Sequence, residues 1–388
     1  MNKLATATAL ICALAVPGLA EVSVTVTYLK VEEELPPTLS NLDPVPDDLG
    51  LAGAQVGLDD NATTGRFLGQ TYALEMIEVY LGEDPKAAAA DALAQSPYLV
   101  VDAPFEVQLA IADLEAAQGA VLFNISAPEA SLRGAECRAN LLHTLPSNAM
   151  RTDALAQFLV KRRWDRLALI EGVHGADKAY ADSLRASLEK FGLGLRSEKT
   201  WAFDADMRRN AAQEVPLFTQ DLKDHDVLLV ADEVHDFGRY IAFNTWEPRP
   251  IAGSEGLAAE AWSPVVEQWG AAQLQSRFTK SAGRDMRPRD YAAWAALRTL
   301  GEAVTRTNSG DPATLRAFIL GPDFELAGFK GRPLSYRDWN GQLRQPIPLV
   351  HPRAVVAVAP LEGFLHPTSE LDTLGQDRPE TTCTAFEE

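Results

Sequence analysis

Long apolar runs are scarce in this 388-residue chain. Leu4 to Val16, interrupted only by Thr6 and Thr8, is the longest, and nothing after it approaches the roughly 20 apolar residues that a membrane-spanning helix needs. Positive charge is also short: 35 Lys and Arg stand against 54 Asp and Glu, giving a formal charge of −19. Phosphate backbones and anionic lipid surfaces are bound through basic patches that release counterions, so this balance argues against both as partners. Cysteine is limited to three residues. There is no Cys-x-x-Cys, no His-Glu-x-x-His, no Gly-x-Ser-x-Gly elbow and no phosphate-binding Gly-x-x-x-x-Gly-Lys-Ser/Thr loop, so the usual carriers of redox, metal-hydrolytic, acyl-transfer and nucleotide chemistry are missing. The six His residues, His174, His225 and His235 among them, show no metal-ligand spacing. Neither a metal nor a cofactor is expected, and the sequence reads as non-enzymatic.

What is there begins with an address. Met1-Asn2-Lys3, the apolar run Leu4 to Val16 and the small-residue ending Pro17-Gly18-Leu19-Ala20 have the layout of a secretory signal cleaved after Ala20. Ile11 directly before Cys12 is not the small residue a lipoprotein signal wants, so the expected product is a free, soluble periplasmic protein. Its formal charge is one unit more negative, because Lys3 leaves with the signal. Cys137 and Cys383 remain. In an oxidising compartment they read as a disulfide tying the C-terminal tail to the first half of the chain, with two unpaired buried thiols as the other reading. No low-complexity stretch or short internal repeat is present.

The length suggests two compact domains. Val22, Val24, Val26 and Tyr28 alternate with Ser23, Thr25 and Thr27, a strand of period two. A Pro-rich insert, Leu35 to Leu49, leaves the end of that strand. It reads as a cover over a binding site, as a presenter of Asp43, Asp47 and Asp48 to a partner, or as an extended surface loop. A helix is expected from Leu51 to Asn61, closed by Gly65 and Gly69, with the glycines of 50–57 serving helix packing. Asp59, Asn61 and Thr63 imitate the opening of a calcium loop, but Thr64 and Gln70 stand where glycine and a bidentate Glu belong. Strands near 72–79, 98–101 and 120–123 then alternate with helices over 86–95 and 105–117, which implies parallel strands joined by right-handed crossovers. A second such series starts near Pro146, with Ser147 as a helix cap, strands at 167–170 and 227–230, and helices through Leu184 and over 207–222. A long helix from Arg289 to Thr305 precedes hairpin and strand material over 328–333 and 343–358.

Four stretches in this order, Gly53-Ala54-Gln55-Val56-Gly57-Leu58-Asp59-Asp60-Asn61-Ala62, Trp164 to Ile170, Ala181 to Gly192 and Tyr291 to Leu297, resemble the type 1 periplasmic binding proteins, the Leu/Ile/Val-binding class of ABC-transporter substrate receptors. The Pro-rich insert and the tail from Arg378-Pro379-Glu380 to Cys383 resemble most the branch found beside PQQ-dependent (quinoprotein) alcohol dehydrogenase systems. The resemblance implies an α/β fold of two doubly wound parallel-sheet lobes joined by a three-crossover hinge. Lobe one would take 21–145 and 266–335, lobe two 146–265 and 336–366, and 367–388 would form a tail. It also implies a small-molecule ligand linked to alcohol oxidation, with a membrane permease as partner. A quinoprotein dehydrogenase is a further candidate partner, and a periplasmic sensor or accessory protein is the alternative role.

Ligands of parallel α/β lobes sit beyond the carboxyl ends of the strands. That rule selects Tyr28, Asp102, Asn124 and Ser126 in the first lobe, and Glu171, His174, Asp232, Ser254 and Glu255 in the second. Amino-acid receptors of the family hold their ligand with Ser and Thr in the loops after the third and fourth strands. Here those loops read Asp102-Ala103-Pro104-Phe105 and Asn124-Ile125-Ser126-Ala127, where only Ser126 keeps a hydroxyl, which argues against an ordinary α-amino acid.

Overall fold

A computed structural model describes residues 22–34, 44–202 and 207–387. The expected signal sequence and positions 35–43 of the Pro-rich insert, Asp43 among them, lie outside the described residues. The first unit runs β1 (Val22–Val31), α1 (Leu51–Leu68), β2 (Gln70–Val79), α2 (Pro85–Gln95), β3 (Tyr98–Asp102), α3 (Phe105–Ala112), β4 (Val121–Asn124) and β5 (Leu141–His143). These strands form one parallel sheet in the order β2-β1-β3-β4-β5. The second unit runs α4 (Asn148–Arg162), β6 (Arg166–Glu171), α5 (Gly175–Lys190), β7 (Gly194–Thr200), α6 (Met207–Thr219), β8 (Val227–Ala231), α7 (Gly238–Ile241), β9 (Ile251–Gly253) and β10 (Leu257–Ala259). The chain then makes α8 (Ala271–Ala282), α9 (Pro288–Thr307), α10 (Pro312–Leu320), the short hairpin β11 (Ser335–Tyr336) and β12 (Leu343–Arg344), and the antiparallel pair β13 (Ile347–His351) and β14 (Ala354–Ala359). That last pair completes a seven-stranded sheet, β14-β13-β10-β9-β8-β6-β7.

Each sheet has its own core. Leu142, Trp262, Val266 and Leu343 pack with the first, whereas Met150, Ala259 and Ile347 pack with the second. The backbone therefore passes between the cores near 143–149, 260–261 and 344–346. Two polar side chains bind these crossings together. Lys330 Nζ donates to Gln345 Oε1 (2.6 Å) and to the Pro346 carbonyl (3.1 Å), while Gln345 Nε2 donates to the carbonyl of Thr144 (2.8 Å). Lys330 is buried without a carboxylate, and desolvation holds its ammonium well below the ordinary lysine range.

Strand β1 alternates as expected at its start, but from Val26 to Leu29 both faces are buried because helices cover both sides of the sheet. Helix α1 runs seven residues beyond Asn61, through Gly65, and ends at Gly69 in a left-handed cap. The structure thus uses Gly65 for close approach: a side chain there would meet the Gln70 carbonyl and the Tyr72 ring. The 50–57 glycines also serve packing, since a Cβ on Gly53 would lie 1.9 Å from the Asp290 carbonyl oxygen, so α1 and α9 pack backbone against backbone. Asp59, Asn61 and Thr63 lie inside this continuous helix. Asp60 accepts from Trp294 Nε1 (3.0 Å) and Asn61 Nδ2 donates to the Leu297 carbonyl (2.7 Å), so the polar end of the α1 motif positions α9.

Cys137 and Cys383 form a disulfide, with Cα atoms 5.6 Å apart. Paired thiols are the reading that holds, and the bridge fastens the tail to the loop before β5. The tail also reaches the second core: Leu374 is part of it, Gly375 N donates to Asp153 Oδ2 (2.8 Å), and Lys190 Nζ lies 3.2 Å from Glu380 Oε2. Among the described residues no helix is long and apolar enough to cross a membrane.

Candidate functional site

The carboxyl ends of β1 and β3 and the N-termini of α1 and α9 meet at one edge of the first sheet. Tyr28 is fully buried there, and its hydroxyl donates to Asp102 Oδ2 (2.7 Å); Asp102 Oδ1 pairs with Arg289 Nη1 (3.1 Å). Burial, then the Asp102 charge, pushes the Tyr28 phenol well above its ordinary value. Gly50, at φ +82°, leaves the space that this hydroxyl occupies, since a Cβ there would fall 2.2 Å from it. Gly50 N donates to Asp290 Oδ1 (2.7 Å), and Asp290 takes two further bonds from Arg284 (2.7 and 2.9 Å). Arg284 also holds Asp48 Oδ1 at 2.8 Å, and Arg287 Nη2 donates to the Pro44 carbonyl (3.0 Å). The return leg of the Pro-rich insert is thereby moored at this edge.

Asn124 and Ser126 are brought together, but their polar atoms are engaged within the loops. Asn124 Oδ1 accepts from the Ser126 and Ala127 amides (3.1 and 2.9 Å) and from Gln108 Nε2 (2.8 Å). Ser126 Oγ accepts from Ala103 N (2.9 Å) and lies 2.9 Å from the Ala103 carbonyl. The pair stitches the loop after β4 to the loop after β3.

In the second lobe, Asp232 is fully buried and its carboxylate receives the amides of Asp236 (2.8 Å), Phe237 (2.9 Å) and Gly238 (2.6 Å), which seats α7. Ser254 Oγ receives Asp232 N (3.0 Å) and donates to Glu233 Oε1 (2.7 Å). Glu255 lies near His235, Nδ1 to Oε1 3.8 Å. Glu171 pairs with Arg185 Nη2 (2.6 Å), on the side of β6 where β7 lies. His174 begins α5, with Nε2 3.7 Å from Asp236 Oδ2.

Three residues that the strand-end rule did not select organise this face. Arg151, in the first turn of α4, grips Glu233 through both nitrogens (2.6 and 3.1 Å), and its guanidinium lies 4.7 Å from the centre of the Tyr180 ring. Glu260, just past β10, feels the same arginine, but its carboxylate has no hydrogen-bond donor among the described residues, and desolvation raises its pKa. Where the segment after β10 meets the link from α8 to α9 lies a cavity of about 380 Å3, lined by Glu260, Trp262, Ser263, Arg284, Met286 and Arg287 together with Pro264, Asp285 and Pro288. None of the nine residues selected from sequence lines it. Glu233 was findable, being the immediate neighbour of Asp232; Glu260 was not, because β10 is three residues long and carries no period of its own.

Two α/β lobes, each built on parallel strands and each with its own core, with three passages of the chain between them, decide the fold type. The fold is that of the type 1 periplasmic binding proteins. A branched-chain amino acid ABC transporter periplasmic ligand-binding protein from Burkholderia xenovorans superposes with TM-score 0.68 at 15% identity, covering 94% of this chain and 100% of that one. An ABC transporter substrate-binding protein from Desulfitobacterium hafniense matches with TM-score 0.64 at 14% identity over 84% of this chain and 97% of its own. A solute binding protein from R. palustris in complex with benzoate matches with TM-score 0.62 at 12% identity over 93% and 99%. No protein-family model and no curated protein matches the chain.

Proposed function

We propose that this chain is a periplasmic solute-binding protein of an ABC transporter, exported by its N-terminal signal, that closes two lobes over a small organic molecule without altering it. The observation that carries the reading is the two-cored α/β fold with three passages between its cores, which solved solute-binding proteins share, together with a 380 Å3 cavity beside one passage, where Glu260 meets Trp262 and the segment 284–288. Ligand contacts to both walls exist together only in the closed form, so binding shifts the hinge equilibrium, and the closed shape is what a membrane permease recognises. Residues 22–145 and 262–345 form one lobe in this proposal, and 146–261 and 346–374 the other. The likeness of the insert and tail to the branch beside PQQ-dependent alcohol dehydrogenases supports a ligand from alcohol oxidation.

The test is a thermal-shift screen of alcohols, aldehydes, carboxylates, amines, amino acids and pyrroloquinoline quinone, followed by small-angle scattering on each hit. A ligand at a hundred times its dissociation constant adds about 2.7 kcal/mol of stability. The radius of gyration should fall on binding; hits that leave it unchanged would refute hinge closure. A second reading, an accessory or sensor protein that engages a dehydrogenase or signalling partner, is favoured by one feature. Leu217, Phe243 and Trp246 are exposed around the end of α6, where Trp246 N donates to Thr219 Oγ1. Co-purification that is lost in Phe243→Ser/Trp246→Ser, with solute binding intact, would support this second role.

A further inference from the structure

The cavity has a charge imbalance that bears on what it takes. Arg284 is committed to Asp48 and Asp290. Arg287 supports Pro44, and Arg151 is held at both nitrogens by Glu233. Arg289, above the first sheet, belongs to Asp102. The guanidiniums of this region thus already have oxygen partners, and a carboxylate ligand would have to displace one. Glu260 is the opposite case. It shares Arg151 with Glu233, yet Glu233 takes the hydrogen bonds, so a half-buried carboxylate lines the cavity with no donor among the described residues. Asp285, also in the lining, is engaged by Gln275 Nε2 (3.0 Å). The rest of the wall is largely apolar: Met286, Pro264, Pro288 and Trp262, whose indole is stacked on Tyr291 at 4.9 Å and whose Nε1 is used by Gln275 (3.0 Å).

A partly desolvated carboxylate without a hydrogen-bond donor is stabilised by a cation, and aromatic faces attract cations through their quadrupole. We infer that this cavity takes an organic monocation, a protonated amine or quaternary ammonium on a small hydrocarbon body, with Glu260 as counter-charge and Trp262 as part of the apolar wall. The inference rests on the solute-binding reading and narrows its substrate class.

The experiment is isothermal titration of the full mature chain with three benzyl compounds of near-equal shape, benzylammonium, benzyl alcohol and benzoate, and with choline and L-leucine. At least one of the two cations should bind ten times more tightly than benzyl alcohol, with benzoate weaker still. Glu260→Gln, which keeps the shape and removes the charge, should abolish that preference. Trp262→Leu serves as a second variant should Glu260→Gln fold poorly, and should weaken cation binding by tenfold or more. If benzoate or leucine binds and contracts the protein while neither cation does, the solute-binding reading stands and the cation assignment falls. It also falls if no compound binds, or if a cation binds with equal affinity to wild type and Glu260→Gln.

Discussion

Arg337 Nε donates to Asp372 Oδ1 at 2.9 Å, and both side chains are only 1% exposed. Arg344 shares the same carboxylate at 2.8 Å, and Arg337 also caps the carbonyls of Leu371 (3.2 Å) and Leu374 (2.6 Å). The hairpin of β11 and β12, which packs with the first core, is thereby joined to a tail segment whose Leu374 packs with the second. Asp372→Ala would leave two guanidiniums facing a buried vacancy. It should cost about 3–5 kcal/mol in urea unfolding. A loss below about 1 kcal/mol would show that the tail is not part of the cooperative unit.

The disulfide makes the same connection covalently. In the chain-entropy account, a bridge across 246 residues restricts the unfolded chain by roughly 5 kcal/mol, and measured losses for native bridges run about 2–5 kcal/mol. Cys383→Ser should therefore lower the urea midpoint under oxidising conditions and abolish the response of the wild type to dithiothreitol. An unchanged midpoint in both would contradict a stabilising bridge.

Glu260 sits among Arg151, Glu233 and His235, and its pKa is raised, first by desolvation. A raised carboxylate means that the folded state binds the proton more tightly than the unfolded state. Its contribution to stability is present below the unfolded value, near 4.5, and is lost as pH rises through the folded value. Glu260→Gln should thus raise the stability of the ligand-free protein at pH 7, on the order of 1 kcal/mol, and the gain should shrink as the pH is lowered towards 4.5. A gain that grew on acidification would reverse the sign of this account.

Arg151 makes the effect of Glu260 conditional. With Glu233 present, Arg151 is occupied; in Glu233→Gln it is free to turn to Glu260. Removing the Glu260 charge in that background should destabilise rather than stabilise. A double-mutant cycle measures this as a coupling between the two glutamates of about 0.5–3 kcal/mol. Additive single effects would place the two carboxylates on separate partners.

Gly50→Ala tests the floor of the first lobe. The position has φ +82° and no room beside the Tyr28 hydroxyl, so both backbone strain and a clash oppose the substitution. A loss of about 1–3 kcal/mol is expected. Tyr28→Phe should relieve the clash and recover part of it.

Much of the architecture was legible in the chain because it rests on local signals. The alternation in Val22 to Tyr28, the cap at Ser147 and the spacing of Tyr180, Leu184 and Leu188 each depend on residues a few positions apart, as does the βα rhythm that implied parallel sheets. The return strands of the second sheet were less legible: β9 and β10 are three residues long, below the length at which a period can be seen. The disulfide was readable as a pairing because only two cysteines lie beyond the N-terminal apolar run.

The cleft was readable only as a region. Strand-end position placed Tyr28, Asp102, Asn124, Ser126, Asp232 and Ser254 near the carboxyl ends of the strands, and that much follows from topology. Whether a polar atom at such an edge meets a ligand or is already engaged depends on partners such as Arg289 for Asp102, Gln108 for Asn124 and the α7 amides for Asp232. Those partners arrive from distant or unpatterned parts of the chain, and a buried polar group takes whichever donor the packed structure brings within 3 Å. The order of strands and helices was thus set by nearest-neighbour chemistry along the sequence. That Glu260 lines the cavity without a donor among the described residues was decided by tertiary packing alone.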